Sequence, residues 1–135
     1  MRLLEITWPE FDRAVLTMAE LVQRARPKSY ALFGVPRGGL PLAVALSHRV
    51  GLPVTRILRR GIMVVDDIVD SGATVERLRA QRPGCHVVTW FIREGMKLDG
   101  VASVAVAPAG AWLVFPWEDR EKALEDRAAY LARVG

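Results

Sequence analysis

Three carboxylates, Asp66, Asp67 and Asp70, share five positions in the stretch VVDDIVDSGAT, directly after the apolar run IMVV and directly before four small residues. Crowded like charges cost stability unless a cation or a hydrogen-bonding ligand offsets them. Adjacent aspartates can accept hydrogen bonds from a vicinal diol, or hold Mg²⁺ directly or through water. The tail DSGAT can offer backbone amides and two hydroxyls to a phosphate, and the absence of a lysine separates it from a Walker A loop. Diol and phosphate side by side describe a ribose 5-phosphate; a solvated acidic turn is the bland alternative. A second stretch, GVPRGGL, carries two glycines that let backbone approach a ligand closely, at the start of an expected helix whose free amides attract anions. Arg37 adds a planar fork suited to phosphate oxygens, although a tight turn into a helix would use the same glycines.

Both stretches need a scaffold that ends strands where loops enter helices. In ITWPEF, Thr7 and Glu10 have capping-box spacing and Pro9 is tolerated in a first turn, so residues 8–26 read as an amphipathic helix with Phe11, Val15, Met18, Leu21 and Val22 on its apolar face. YALFGV reads as a buried strand, and LPLAVALSHRV as a helix stopped by Gly51 and Pro53. PVTRIL is a short strand candidate, IMVV a buried strand, and ATVERLRAQ a helix halted before Pro83 and Gly84. HVVTWFI, VASVAV and WLVF complete the strands, and EDREKALEDRAAYLARV is a polar-faced terminal helix. Strands alternate with helices, and YALFGV and IMVV are apolar throughout. The expectation is an α/β fold: a mostly parallel central sheet with helices on both faces, in a single domain over residues 1–135. In such sheets ligands bind beyond the carboxyl ends of the strands, where the two loaded stretches fall.

Composition narrows the partners. The net charge of +4 points to an anionic partner, either a nucleic acid or a phosphorylated small molecule. The longest apolar stretch is broken by Pro108 and Gly110 and falls short of a bilayer span, so no membrane association is expected. Glu5 interrupts the only apolar start, which argues against a signal peptide. A lone Cys85 has no internal disulfide partner, so a cytoplasmic location is the simplest expectation. No Cys/His cluster suggests zinc, and His48 and His86 read as structural.

VVDDIVDSGAT resembles the phosphoribosyl diphosphate (PRPP) signature of the type I phosphoribosyltransferases. With ITWPEF, GVPRGGLPLAVALSHRVGLPV, VVTWFIR and WLVFPWED the resemblance extends over most of the chain and is to the xanthine-guanine members; the W-x-x-x-P-W segment narrows the base to a 6-oxopurine. The resemblance implies a transferase that joins the ribose 5-phosphate of PRPP to guanine, xanthine or hypoxanthine, releasing pyrophosphate, with Mg²⁺ as cofactor. It implies that Asp66 and Asp67 meet the ribose hydroxyls and the metal, and that Asp70 approaches purine N7 as general base or charge stabiliser. Ser71, Gly72, Ala73 and Thr74 would cradle the 5-phosphate, and Pro36, Arg37, Gly38 and Gly39 the pyrophosphate. Trp112 would stack on the purine, the backbone of Leu113 would read its edge, and Arg93 stands where the family generally has a lysine for the 6-oxo group. Trp117 and Phe115 read as packing.

One departure bears on mechanism. The family carries a long mobile loop before the PRPP strand, whereas here PVTRIL is followed only by RRG. A crossover between parallel strands takes about a dozen residues, so PVTRIL either pairs antiparallel with the next strand or makes an excursion along the sheet edge, and the closing loop is absent. The family's hood is expected to be small or absent. A homo-oligomer, dimer or tetramer, would let a neighbour cover the site, with its Arg56, Arg59 or Arg60 offering charge to pyrophosphate. The competing reading is a PRPP- or nucleotide-binding regulator on this fold, with RNA as a partner that is allowed but not favoured. A receiver-like phosphoacceptor domain is disfavoured, because it would place its acidic cluster at the first strand and a lysine at the last.

Overall fold

The computed structural model describes residues 2–134. In chain order the elements are β1 (Arg2–Glu5), α1 (Trp8–Arg24), β2 (Ala31–Gly34), α2 (Gly39–Val50), β3 (Ile62–Val69), α3 (Ala73–Gln81), β4 (His86–Arg93), β5 (Val101–Ala107), β6 (Ala111–Val114) and α4 (Arg120–Val134). α1 starts where its cap chemistry places it: Thr7 Oγ1 accepts from Glu10 N, and Glu10 Oε1 accepts from Thr7 N, each at 3.3 Å. α2 ends at Gly51, which takes the left-handed conformation (φ 78°) open to glycine at little cost.

β2, β3, β4 and β5 form a parallel sheet in that order, and β1 pairs in parallel with β6 in a separate two-stranded sheet. Side chains on either face follow the two-residue period of a strand. Leu32, Met63, Val65 and Val88 join Met18 of α1 and Leu42 and Leu46 of α2 in the larger core. Val64 and Val87 turn the other way, onto Val75 and Leu78 of α3. Helices therefore cover both faces, which is why these strands read as unbroken apolar runs. Ala111, Leu113 and Phe115 also enter the larger core, so the small β1–β6 sheet is anchored on it. α4 buries Ala123 alone.

Two expectations are corrected, and one strand is added. PVTRIL is no strand: only Val54 bridges, in parallel, to Leu32, through Leu32 N to Pro53 O at 2.9 Å and Thr55 N to Leu32 O at 2.8 Å. This is the edge excursion; the antiparallel option is ruled out. Pro53 supplies only its carbonyl there, as an edge position allows. Strands and helices do not alternate throughout, because β4 and β5 are parallel yet joined by residues 94–100 without a helix. An extended connection at about 3.3 Å per residue is long enough to run back along a strand of this length. Finally β1, not foreseen in the short stretch RLLE, exists because residues 111–114 offer it a partner.

Candidate functional site

Asp66 and Asp67 do not sit in a loop after the strand, as the apolar run suggests, because β3 continues through them to Val69; Asp70 lies in the bend that follows. The ladder to β4 skips a rung there, between Asp66↔Thr89 and Ile68↔Phe91, and the β4–β5 ladder skips the same level. Across the skip Val65 and Ile68, three positions apart, pack into the same core, so the side-chain alternation shifts beside the carboxylates. Asp66 is only 7 % exposed. Its Oδ1 accepts from Asp67 N, and Asp67 Oδ1 accepts from Ile68 N, both at 2.8 Å. Burial, followed by the hydrogen bond and the charge of Asp67, pushes the Asp66 carboxyl up to about 8. Burial also raises Asp67, against the hydrogen bonds that favour its ionised form.

Asp67 lies against the glycine loop. A Cβ on Gly38 would stand 1.9 Å from Asp67 Oδ2, and one on Gly39 2.3 Å from the Val65 carbonyl oxygen. Gly39 is therefore required by its close approach to backbone, whereas a Cβ on Gly38 would meet the end of the Asp67 side chain, which would have to turn aside. The Pro36–Arg37 peptide is cis. α2 and α3, the helices that follow the two loaded stretches, begin after Gly38 and Gly72 without a side-chain cap, whereas α1 has its full capping box. In these first turns Gly39 N and Leu40 N already donate to Val35 O and Arg37 O, and Ala73 N to Ser71 Oγ at 3.3 Å, so an anion would compete with those bonds or use the other amides of the turn. At the start of α3, Gly72 takes φ 84°, and Ser71 and Gly72 border a cavity of about 280 Å³.

Asp70 and Arg93 meet. Arg93 Nε donates to Asp70 Oδ1 at 2.9 Å and Nη2 to Oδ2 at 3.4 Å, while Nη1 reaches the carbonyls of Pro108 and Ala111 at 2.8 Å each. Four of the five guanidinium hydrogens are thus committed, and one on Nη2 is left for a ligand. The Arg93 side chain is 16 % exposed and that of Asp70 62 %, so Arg93 is a packed strut between β4 and the β5–β6 turn, not a solvated strand end. Trp112 packs on Tyr130 of α4, with ring centroids 5.5 Å apart. Leu113 is buried in the larger core, opposite Leu4.

A cavity of about 470 Å³ lies between the glycine loop and α4. Arg37, Gly38 and Asp67 form one wall, and Trp117, Lys122 and Asp126 part of the other. Trp117, read from the sequence as packing, does stack on Phe115 at 4.9 Å, and it also faces this cavity. Glu118 and Asp119 complete the lining, and burial raises the Glu118 carboxyl, helped by Asp67 and Asp126 and opposed by its hydrogen bond from Phe115 N and by Arg37. Lys122 and Asp126 of α4 carry no signal in the sequence, because a charged run after WLVFPW has the pattern of any solvated helix. The structure joins the glycine loop to Asp67 and Asp70 to Arg93; it sets Trp112 outside the lining of this cavity.

Asp66 and Asp67 fit magnesium as hard oxygen donors, each with one oxygen not engaged by backbone. Among the described residues no group of three or more His, Cys, Asp or Glu could hold a metal. That suits an ion completed by water and substrate oxygens, the usual habit of Mg²⁺. No helix among the described residues is long and apolar enough to cross a membrane.

No protein-family model matches the chain. A stretch of 58 residues, 43% of the chain, is 36% identical to the xanthine-guanine phosphoribosyltransferase of Roseobacter denitrificans, and it spans 33% of that relative's length. The purine phosphoribosyltransferase of Pyrococcus horikoshii superposes with a TM-score of 0.71 at 27% identity, over 88% of this chain and 96% of that one. The Helicobacter pylori xanthine-guanine-hypoxanthine phosphoribosyltransferase gives 0.71 at 25% identity, over 93% and 99%. A hypothetical protein from Neisseria gonorrhoeae with bound ppGpp gives 0.71 over 97% of both chains, but at 17% identity that likeness is one of fold alone. The chain has the fold of the type I phosphoribosyltransferases, and in sequence it is similar to those of the purine class.

Proposed function

We propose that this protein is a purine phosphoribosyltransferase, a glycosyltransferase that moves the ribose 5-phosphate of PRPP onto a 6-oxopurine and releases pyrophosphate. The observation that carries the reading is the glycine loop seated on Asp67, with the DSGAT turn at the end of the same strand. In this reading the two helix starts would meet the two phosphate groups and the carboxylate pair the diol between them. Asp66 and Asp67 accept from the ribose hydroxyls and would hold Mg²⁺, which when bound offsets the charge of the departing pyrophosphate. The bond from the anomeric carbon to pyrophosphate breaks, the bond to the purine nitrogen forms, and the purine gives up a proton. Asp70 is the carboxylate placed to stabilise charge on the purine or to take that proton, with its orientation set by Arg93.

The missing loop leaves the developing ribosyl cation to be shielded by something else. α4 stands across the cavity from the glycine loop and takes that part, with Lys122 as its cation. A second copy of the chain would add to the cover: α2 exposes Leu40 and Val44, one turn apart, and the β2 edge exposes Val54 and Ile57. A homo-oligomer in the cytoplasm is therefore part of the proposal. Turnover measured with PRPP, Mg²⁺ and each of guanine, hypoxanthine and xanthine tests the reading. Formation of the corresponding nucleoside monophosphate is expected, and tight PRPP binding with no product from any base would favour the regulatory alternative. The commitment of Arg93 to Asp70 is the observation that keeps this alternative alive, because it occupies the groups that should read and deprotonate the base.

A further inference from the structure

The amino ends of the strands carry a second chemically one-sided region. A recess of about 330 Å³ opens there between the segment before β3, the end of α3 and the start of β4. Arg59 and Arg60 line it from the first, Arg82 from the second and His86 from the third, with Ser29 beside them. Among the described residues no Asp or Glu lines it. An adjoining cavity of about 280 Å³ shares His86 and adds Arg24 and Arg26, again without a carboxylate. β3, which starts at this recess, runs for eight residues before Asp70, so at about 3.3 Å per residue the two regions are roughly 25 Å apart.

The arginines here are not explained by packing. Arg79, one turn earlier in α3, donates to the carbonyls of Cys85 and Asp99. Arg59, Arg60, Arg82 and His86 make no ion pair or side-chain hydrogen bond among the described residues. Gathering like charges without counterions is unfavourable, and a low-dielectric hollow strengthens the potential that results. Guanidinium forks match phosphoryl oxygens two at a time. The arginines come from two separate segments around a hollow, with the His86 imidazole from a third, rather than in a stripe along one element, a geometry that suits a compact anion better than the backbone of a strand.

We propose that this recess binds a small polyphosphate anion, a ligand with two or more linked phosphoryl groups, at a site separate from the phosphate loops of the carboxyl ends. Because those loops also attract phosphate, the test must resolve the two places. Inorganic tripolyphosphate is titrated into the full chain in the presence of EDTA, and backbone amide shifts are followed by NMR. Saturable shifts at Gly61, Gly84 and His86 are expected, with affinity weakened at least tenfold by the combined Arg59→Gln, Arg60→Gln and Arg82→Gln substitutions. The shifts at Gly38, Gly39 and Gly72 should keep their own midpoint in that variant. If the triple variant loses its dispersed spectrum, Arg82→Gln alone serves, with a threefold or greater weakening expected. Responses confined to Gly38, Gly39 and Gly72, or an unchanged midpoint at Gly61 and Gly84, would overturn the proposal. So would a single-stranded RNA 12-mer that displaces tripolyphosphate and binds the same amides at least tenfold more tightly at equal salt, since the recess would then be part of an RNA surface.

Discussion

The two ends of the parallel sheet handle charge in opposite ways. At the carboxyl ends Asp66 and Asp67 are packed against each other and against the glycine loop, and Glu118, Asp119 and Asp126 face the cavity beside them. At the amino ends the recess holds three arginines and a histidine with no carboxylate. In the proposed site a phosphate at the carboxyl ends would be met by the helix starts of α2 and α3 together with Arg37 and Lys122, because the other charged side chains lining the cavity are acidic. At the amino ends it would be held by side-chain cations. The first arrangement leaves carboxylates free for a diol and a metal, which a ring of arginines would neutralise.

The sharpest way to break the carboxyl-end arrangement is through the glycine loop. Gly38→Ala puts a Cβ into Asp67, so either the loop or the carboxylate must move. PRPP affinity by calorimetry should fall by about 10²-fold or more, on the scale by which small displacements of positioning groups cost catalysis. The combined Asp66→Asn and Asp67→Asn variant should lose PRPP binding to a similar degree while remaining folded. Unchanged affinity in either would dissociate the loop from the carboxylates.

Asp70→Asn is expected to lower the transfer rate by roughly 10²-fold with a smaller change in PRPP affinity, if Asp70 takes the purine proton. Arg93→Ala is a different probe of the same pair. It strips the carbonyls of Pro108 and Ala111 of their donor and should cost about 1–3 kcal/mol of stability in chemical denaturation. A loss of rate without that loss of stability would make Arg93 a ligand-reading residue rather than a strut.

Much of this was legible beforehand, for reasons tied to particular residues. The capping box at Thr7, the glycine stop at Gly51 and the apolar runs that begin β2 and β3 are local signals, and these elements stand where they place them, except that β3 runs on past IMVV to Val69. The signature VVDDIVDSGAT pointed to the carboxylates because their cost had no local compensation. What stayed hidden depends on partners distant in sequence. β1 becomes a strand through residues 111–114, Val54 bridges only because Leu32 has a free edge, and Arg93 finds Asp70 across 23 positions. The cavity wall from α4 was invisible for the same reason, since only docking brings Lys122 and Asp126 to the cavity that Arg37 lines.

The acidic end should also register in stability against pH. The unfolded chain releases the Asp66 proton near 3.8, while the folded chain holds it up to about 8. Between those values the unfolded state binds fewer protons, so stability should fall as pH rises, by at most about 1.4 kcal/mol per unit. The loss is absent below the window and complete above it. Thermal melts from pH 5 to pH 8 without divalent ions should show this slope, and Asp66→Asn should flatten it. An unchanged slope in the variant would mean that the buried pair is not the group responsible.

The smallest effect belongs to the amino ends. Their cations repel one another with no carboxylate to relieve them, so removing one should help the fold slightly. Arg59→Gln is expected to stabilise the protein by a few tenths of a kcal/mol at low salt, within the range of surface substitutions, and added neutral salt should erase the difference by screening. The same salt series on Asp66→Asn should leave its larger difference in place, because a pair this buried is screened far less. If Arg59→Gln were neutral at every ionic strength, the arginines would be far enough apart to ignore one another. The opposition between the two ends would then rest on the carboxylates alone.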